Sequence, residues 1–385
     1  MTTTATTYDV AIIGGGLAGL ALSIQLASQG WSVVLIEKEQ YPFHKVCGEY
    51  ISMESWGFLK SLGVPLDTLG LPLINILVLT SPKGKSFTTK LPLGGFGISR
   101  YTLDALMAQI AIDKGVTLMQ ETKAEDVVIK DGFQINLSSS RAEVGRTINA
   151  KVCCATWGKR SNLDVKWKRG FLQKSDRKLD NYIGVKYHIH SDWKDNIIGL
   201  HNFREGYCGI SKVEGEKYCL CYMTKAEELR KAAGRIPKLE EQVLYENPFL
   251  RSILLNSARN EDFPITISQI NFSPKTQVEN GILMLGDAAG MITPLCGNGM
   301  SMALHSSKLA APLINQFLKG IITRQQMKQS YQHQWQRQFA LRLAMGRTIQ
   351  RFFGRGSTTE LFISLFKTFP FLAQPVVKLT HGRPF

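Results

Sequence analysis

The apolar positions change their period along the chain, and the change divides it. Tyr8-Asp-Val-Ala-Ile-Ile13 is a short apolar run with β-branched side chains, the pattern of a strand buried in a parallel sheet. Glycines end the run, and a helical apolar pattern follows at Leu20, Leu22, Ile24 and Leu26. After Gly30 a second strand runs from Ser32 to Ile36 and ends in Glu37, completing a βαβ unit. The middle of the chain reads mostly as β. A meander over 117–154 has Asp131-Gly132 as a tight turn between Ala124–Lys130 and Phe133–Leu137, and leads into a buried strand, Lys151–Ala155. Strand patterns at Tyr182–His190, Gly209–Val213 and Lys217–Tyr222 are followed by helical ones at Lys225–Ala233 and Leu239–Tyr245. Beyond Asn298 the pattern is helical almost to the end.

The turn of the βαβ unit carries Gly14-x-Gly16-x-x-Gly19. Gly14 permits the tight turn, Gly16 lets backbone approach a diphosphate, and Gly19 lets helix and strand pack closely. Leu17 and Ala18 open the helix, so their N–H groups and the partial positive charge there face the phosphates. Glu37 can accept hydrogen bonds from both hydroxyls of an adenosine ribose and would repel a 2′-phosphate. These residues predict FAD or NAD rather than NADP.

Composition narrows the class. A chain of 385 residues, 44% hydrophobic and 20% charged, is neither disordered nor fibrous. Seven cysteines, none in metal-ligand spacing, predict reduced thiols and no structural zinc. No basic-then-apolar leader opens the sequence, and the most apolar late stretch, Leu361–Leu379, is broken by Lys367, Pro370 and Pro375. The expected location is the cytoplasm. Charge is uneven: from Lys308 to Phe385 twelve Lys/Arg face one acid, Glu360, so this tail carries +11 of the net +15. The rest is nearly balanced and gives no case for nucleic-acid binding.

A second cradle lies at Gly281-Ile-Leu-Met-Leu-Gly286-Asp287-Ala-Ala-Gly290, followed by Pro294, Gly297, Asn298, Gly299 and Met300. A short strand delivers Asp287 toward a ribityl hydroxyl. The Gly297–Met300 turn opens a helix whose dipole can face the electron-rich edge of a reduced flavin. NAD has no component requiring this second cradle.

The two cradles together resemble the p-hydroxybenzoate-hydroxylase-type flavoproteins, which include aromatic-ring monooxygenases, flavin halogenases and geranylgeranyl reductases. Lys45-Val-Cys47-Gly48-Glu49 is similar to the K-x-C-G segment of the geranylgeranyl reductase branch, and Arg100-Tyr-Thr-Leu-Asp104 to the family's R-x-x-x-D helix entry, whose Arg contacts the flavin cofactor. The resemblance implies an α/β fold: a Rossmann-like FAD-binding domain (1–75, 98–160, 276–310), a mixed β-sheet substrate domain (76–97, 161–275) and a C-terminal helical region (311–385). It extends the cofactor set to Lys38, Lys45, Gly48, Arg100 and Ala124. It also places Cys47 beside the isoalloxazine, where a thiol can protonate a carbanion-like carbon; small-residue packing is the competing role. His44 and Glu49 read as loop residues, and Cys153, Cys154, Cys219 and Cys221 as core residues. Cys296 receives no chemistry.

One departure stands out. Where the family carries an Asp-Gly implicated in FAD and NAD(P)H binding, this chain reads Trp157-Gly158. Reduction by NAD(P)H in the hydroxylase manner is thereby put in doubt, and an external reductase becomes a candidate donor. The reading is an FAD oxidoreductase that saturates C=C bonds of a long apolar substrate. An aromatic hydroxylase is the main rival, with a halogenase or a non-catalytic flavoprotein behind it. Tyr331, Trp335, Phe339 and Leu343 form an i, i+4 stripe among arginines, either a docked helix or a peripheral membrane surface.

Overall fold

The computed structural model describes residues 6–139, 142–173, 181–259, 264–293, 297–352, 356–373, 375 and 382–385. Its first part contains β1 (Thr6–Ile13), α1 (Leu17–Ala27), β2 (Val33–Ile36), β3 (Tyr50–Ser52), α2 (Trp56–Ser61), β4 (Leu73–Thr80), β5 (Ser86–Gly97) and α3 (Arg100–Asp113). There follow β6 (Thr117–Met119), β7 (Thr122–Ile129), β8 (Phe133–Ser139), β9 (Ala142–Ala155), α4 (Asn162–Lys166) and α5 (Gly170–Gln173). The next part holds β10 (Tyr182–His190), β11 (Ile197–Phe203), β12 (Gly206–Lys212), β13 (Tyr218–Lys225), α6 (Ala226–Lys231), α7 (Ile236–Val243) and α8 (Pro248–Asn256). Short strands β14 (Ala258–Arg259), β15 (Ile265–Ile270), β16 (Val278–Glu279) and β17 (Ile282–Met284) precede α9 (Gly299–Leu318), α10 (Arg324–Phe352) and α11 (Gly356–Thr368).

The strands form two sheets. The first has the order β16-β17-β9-β1-β2-β6, with the β7–β8 hairpin attached to β9. β1 lies parallel to both β2 and β9, and β9 to β17, so the strand ends at Ile13, Ile36, Ala155 and Met284 point one way. Val10–Ile13 and Val33–Ile36 are buried, as a strand covered on both faces requires. The hairpin turn falls at Asp131-Gly132, where Lys130 N donates to Gly132 O. Helices α1 and α9 run side by side in the same sense: Gln25 reaches Ser307 and Trp31 reaches Asn315. Their N-termini open at one edge, beside the strand ends.

The second sheet has the order β14-β10-β13-β12-β11-β4-β5-β3, with β15 paired to β10. Thus Tyr50–Ser52 and Leu73, grouped with the nucleotide segment in the sequence reading, lie in strands of this sheet. One face packs Ile183, Val185, Tyr187, Cys208, Ile210, Leu220 and Tyr222 against α6–α8. The other face, carrying Lys186, His188, Ser211 and Cys219, turns toward the Val46–Glu49 segment.

The tail is helical as its pattern predicts. Tyr331, Trp335, Phe339 and Leu343 are buried in the main core, and Tyr331 Oη donates to Met284 O. The aromatic stripe is a docked face.

Candidate active site

The two glycines that must pack do so. A Cβ on Gly14 would lie 2.6 Å from Trp157 backbone, and one on Gly19 would lie 2.2 Å from Gly14 O. At Gly16 the nearest atom is a guanidinium nitrogen of Arg100, 3.8 Å away, so no backbone crowds this position and the space before it is bounded by the Arg100 side chain. Gly16 is the N-cap of α1 and no side chain caps the helix, leaving the N–H groups at Leu17 and Ala18 directed at that space. Glu37 is buried, and its carboxylate accepts from Gly15 N at 2.7 Å and Glu39 N at 3.1 Å.

Arg100, first residue of α3, makes two 2.7 Å bonds to Asp104, and Lys45 adds a third to the same carboxylate at 3.0 Å. Burial alone would raise the Asp104 carboxyl, but the two cations hold it below the ordinary carboxylate range. Asp104 thus stays ionised and fixes two positive groups over the glycine turn. Ala124 is buried in β7, two residues beyond Thr122, whose N–H bonds Glu37 O. Lys38 points into solvent and pairs with Glu39 at 3.4 Å, so its side chain stays outside the cradle.

At the second cradle, Gly286 takes a positive φ of 59° and donates its N–H to Ser306 of α9. Asp287 follows, half-buried, three residues beyond the end of β17. Gly297 also has a positive φ, 63°, and Gly299-Met300 begins α9 with no side-chain cap. Pro294 and Cys296 lie outside the described residues. Lys275, which the sequence reading did not single out, donates to Asp287 O at 2.8 Å and Lys159 O at 3.2 Å. Burial pushes its ammonium down to about 8. Two uncapped helix N-termini, an acid at the end of β2 and another beyond β17 fit the adenosine, diphosphate, ribityl and ring portions of one FAD.

Between the cradles and the second sheet runs Val46–Glu49. Cys47 is half-buried, and a Cβ on Gly48 would meet nothing within 4 Å. Glu49 lies in a loop, as the sequence suggests, but it is fully buried rather than on the surface. Its carboxylate accepts from Lys186 Nζ, from His188 Nε2 at 2.6 Å and from Arg100 N at 2.8 Å. Burial would raise Glu49, but His188 and Lys186 carry it below its ordinary value. Glu49, His188 and Cys219 bring donor atoms within 4.8 Å of one another, a metal-like spacing, yet the Lys186 ammonium already neutralises the carboxylate. Lys186 and His188 were missed because alternation along β10 shows only that they share a face. That face is covered by a loop the periodicity does not place.

Trp157 stands where the family's Asp would fall. Its indole N–H donates to Asp164 at 3.2 Å and its ring meets Trp167 edge-on. Asp164 is itself bound to Arg169 at 2.9 Å. Trp157 is therefore built into a packed polar corner that supplies no free carboxylate.

Residues 7–163 match the FAD binding domain family, and residues 213–343 match the squalene epoxidase family. The conditioned medium factor receptor 1 of Dictyostelium discoideum is 26% identical over 90% of this chain and 71% of its own. The digeranylgeranylglycerophospholipid reductase of Methanocaldococcus jannaschii is 26% identical over 85% of this chain and 82% of its own. The flavin-dependent brominase Bmp2 shares the fold, with a TM-score of 0.80 at 19% identity over 97% of this chain and 93% of that one. With both cradles in place and residues 7–163 matching the FAD binding domain family, the chain is an FAD-dependent oxidoreductase, similar over most of its length to the archaeal lipid reductase.

Proposed function

We propose that the protein reduces C=C bonds in a long apolar, prenyl-type chain. The observation that carries this reading is the half-buried Cys47 thiol on the loop between the cradles and the second sheet; a packed apolar cluster begins beside the second cradle. Tyr50 packs against Gly297, and from it Leu77, Leu79, Phe87, Ile198 and Leu200 continue to Phe362 and Phe366 of α11. The archaeal lipid reductase among the relatives supports the same reading.

Bound FAD would supply hydride from its reduced ring. Gly14–Gly19, Arg100 and Lys45 would hold the diphosphate, Glu37 the ribose and Asp287 the ribityl chain. Uncapped N–H groups and the dipole of α9 would stabilise negative charge on the ring's pyrimidine edge. Cys47 would hold the proton for one alkene carbon, and with the hydride that the bound cofactor would supply, two hydrogens would be added across the bond. The thiolate then recovers a proton from water. Mass spectrometry of a geranylgeranyl phospholipid tests this: each turnover adds two hydrogens, and Cys47→Ala lowers the rate at least about tenfold while FAD content holds. Unchanged turnover in Cys47→Ala removes the thiol from the chemistry.

The engagement of Trp157 and Asp164 favours an electron donor other than NADPH docked in the hydroxylase manner, such as a reductase protein. NAD(P)H at another site is the alternative. The proposed partners are a hydrophobic small molecule and, through the exposed side of α11, an anionic membrane surface at the cytoplasmic face. A second reading, oxygen-dependent halogenation, draws on the brominase likeness. It requires oxygen, which separates the two.

A further inference from the structure

Every carbonyl of the Val46–Glu49 segment is held. Lys159 Nζ donates to Val46 O at 3.4 Å, Cys219 Sγ to Cys47 O at 3.2 Å, Ser211 Oγ to Gly48 O at 3.3 Å, and Ile98 N to Glu49 O at 3.1 Å. Three of these donors are side chains, and two stand on the neighbouring strands β12 and β13 of the second sheet. Cys219 is buried, which pushes its thiol well above its ordinary value and keeps the proton it donates. The segment ends on Glu49, a non-glycine residue with a positive φ of 54°, a conformation that persists only where the surroundings enforce it. What enforces it is the charged cluster: Lys186 and His188 from β10 of the second sheet, and the Arg100 N–H that opens α3 of the nucleotide domain. The carboxylate therefore ties both halves of the molecule together two residues from Cys47.

We propose that Glu49, with Lys186, His188 and Cys219, forms a clasp whose role is to fix the Cys47 loop against the flavin site. All four are positioning residues. The proposal deepens the alkene-reductase reading, where a proton donor must sit within hydrogen-bond reach of the carbon it protonates. An unfastened loop of this length with Gly48 in it would sample many orientations of Cys47.

The test is the rate at which iodoacetamide alkylates Cys47 in the FAD-loaded protein, followed by peptide mass mapping. Glu49→Gln removes the charge that holds Lys186 and should raise labelling of Cys47 by at least about tenfold, with flavin stoichiometry unchanged. Cys219→Ala leaves the charges intact and should raise it by a smaller factor. Glu49→Gln leaves a buried ammonium without its counter-ion, and folding can fail for that reason alone. The double variant Glu49→Gln/Lys186→Met removes both charges, so a soluble protein remains to be measured. With the phospholipid substrate, the clasp variants should lose kcat with little change in KM, and Glu49→Asp should recover part of it. Labelling at the parent rate in a folded, flavin-loaded double variant overturns the proposal. This readout needs no turnover, so it fails independently of the reductase reading, which the Cys47→Ala product assay judges.

Discussion

His201 shows how much chemistry a single buried side chain can impose. It is fully buried on β11, its Nδ1 meets Thr80 Oγ1 at 2.9 Å, and its other nitrogen has no partner among the described residues. Burial pushes it down to about 3. Below the ordinary histidine value near 6.5 the unfolded chain takes up a proton that the folded chain refuses. The stability this residue contributes is therefore complete above about pH 6.5 and is lost progressively as pH falls toward 3. Each pH unit in that window costs on the order of 1 kcal/mol. Urea unfolding at pH 7 and pH 5.5 should show His201→Gln with a flatter dependence than the parent; equal slopes would contradict the assignment. Legibility at this scale was uneven. Gly14, Gly16, Gly19 and Glu37 are readable because their spacing is dictated by a ligand that backbone must approach. Glu49, Lys186 and His188 are not, because they gain meaning only when a loop at residues 46–49 meets a strand about 140 residues later.

Elements were more legible where one period persists. The strand Tyr182–His190 has the predicted bounds, and β7–Asp131-Gly132–β8 appears as expected, because alternation and turn chemistry are local. Strands β4, β5 and β11 passed unnoticed. Leu91, Gly94, Gly95 and the exposed Leu73 and Leu93 give β5 and β4 no clean alternation, and β5 shifts register against β4 between Ile74 and Ile76. Helix α10 was legible as a helix, and its packing decides between its two sequence readings. Trp335 is buried, and a Cβ on Gly290 would lie 2.7 Å from its ring. Trp335→Ala should therefore cost about 3–5 kcal/mol in unfolding free energy and loosen the strand-to-helix turn next to Asp287. A denaturation midpoint shift equivalent to less than about 1 kcal/mol would mean that the stripe does not anchor the helix.

At the scale of the whole molecule, the net charge of +15 and the tail's excess acquire a direction. No helix among the described residues is long and apolar enough to cross a membrane. Arg342, one of the arginines set among the aromatic stripe that the sequence offers as a membrane surface, is buried and turns toward Glu54 at 3.5 Å, away from any such surface. The outward stripe lies instead on α11 and just beyond it: Leu361, Leu365 and Phe369, four residues apart, with Phe371, are all exposed. Lys83, Lys85 and Lys367 are exposed around them, and the local acid Glu360 is paired with Lys85. The inner face of the same helix, Ile363 and Phe366, packs into the buried apolar cluster of the second sheet. Apolar insertion flanked by cations suits an anionic bilayer, each basic residue adding about 1 kcal/mol. Flotation with anionic vesicles should be strong at low salt and weaken as the Debye length falls from about 30 Å to about 8 Å. Changing Leu361, Leu365 and Phe369 to Ser should abolish it, whereas Arg342→Gln should not. Equal flotation of parent and triple variant would return this face to solvent.

The most direct measurement of the central claim is anaerobic. The FAD-loaded protein is photoreduced, mixed without oxygen with a geranylgeranyl phospholipid in detergent, and followed by flavin absorbance. The account predicts that the alkene alone reoxidises the flavin within the ordinary range of enzyme turnover, with two hydrogens recovered in the lipid per flavin. A flavin that stays reduced until oxygen is admitted would contradict it and assign the site to oxygen-dependent chemistry.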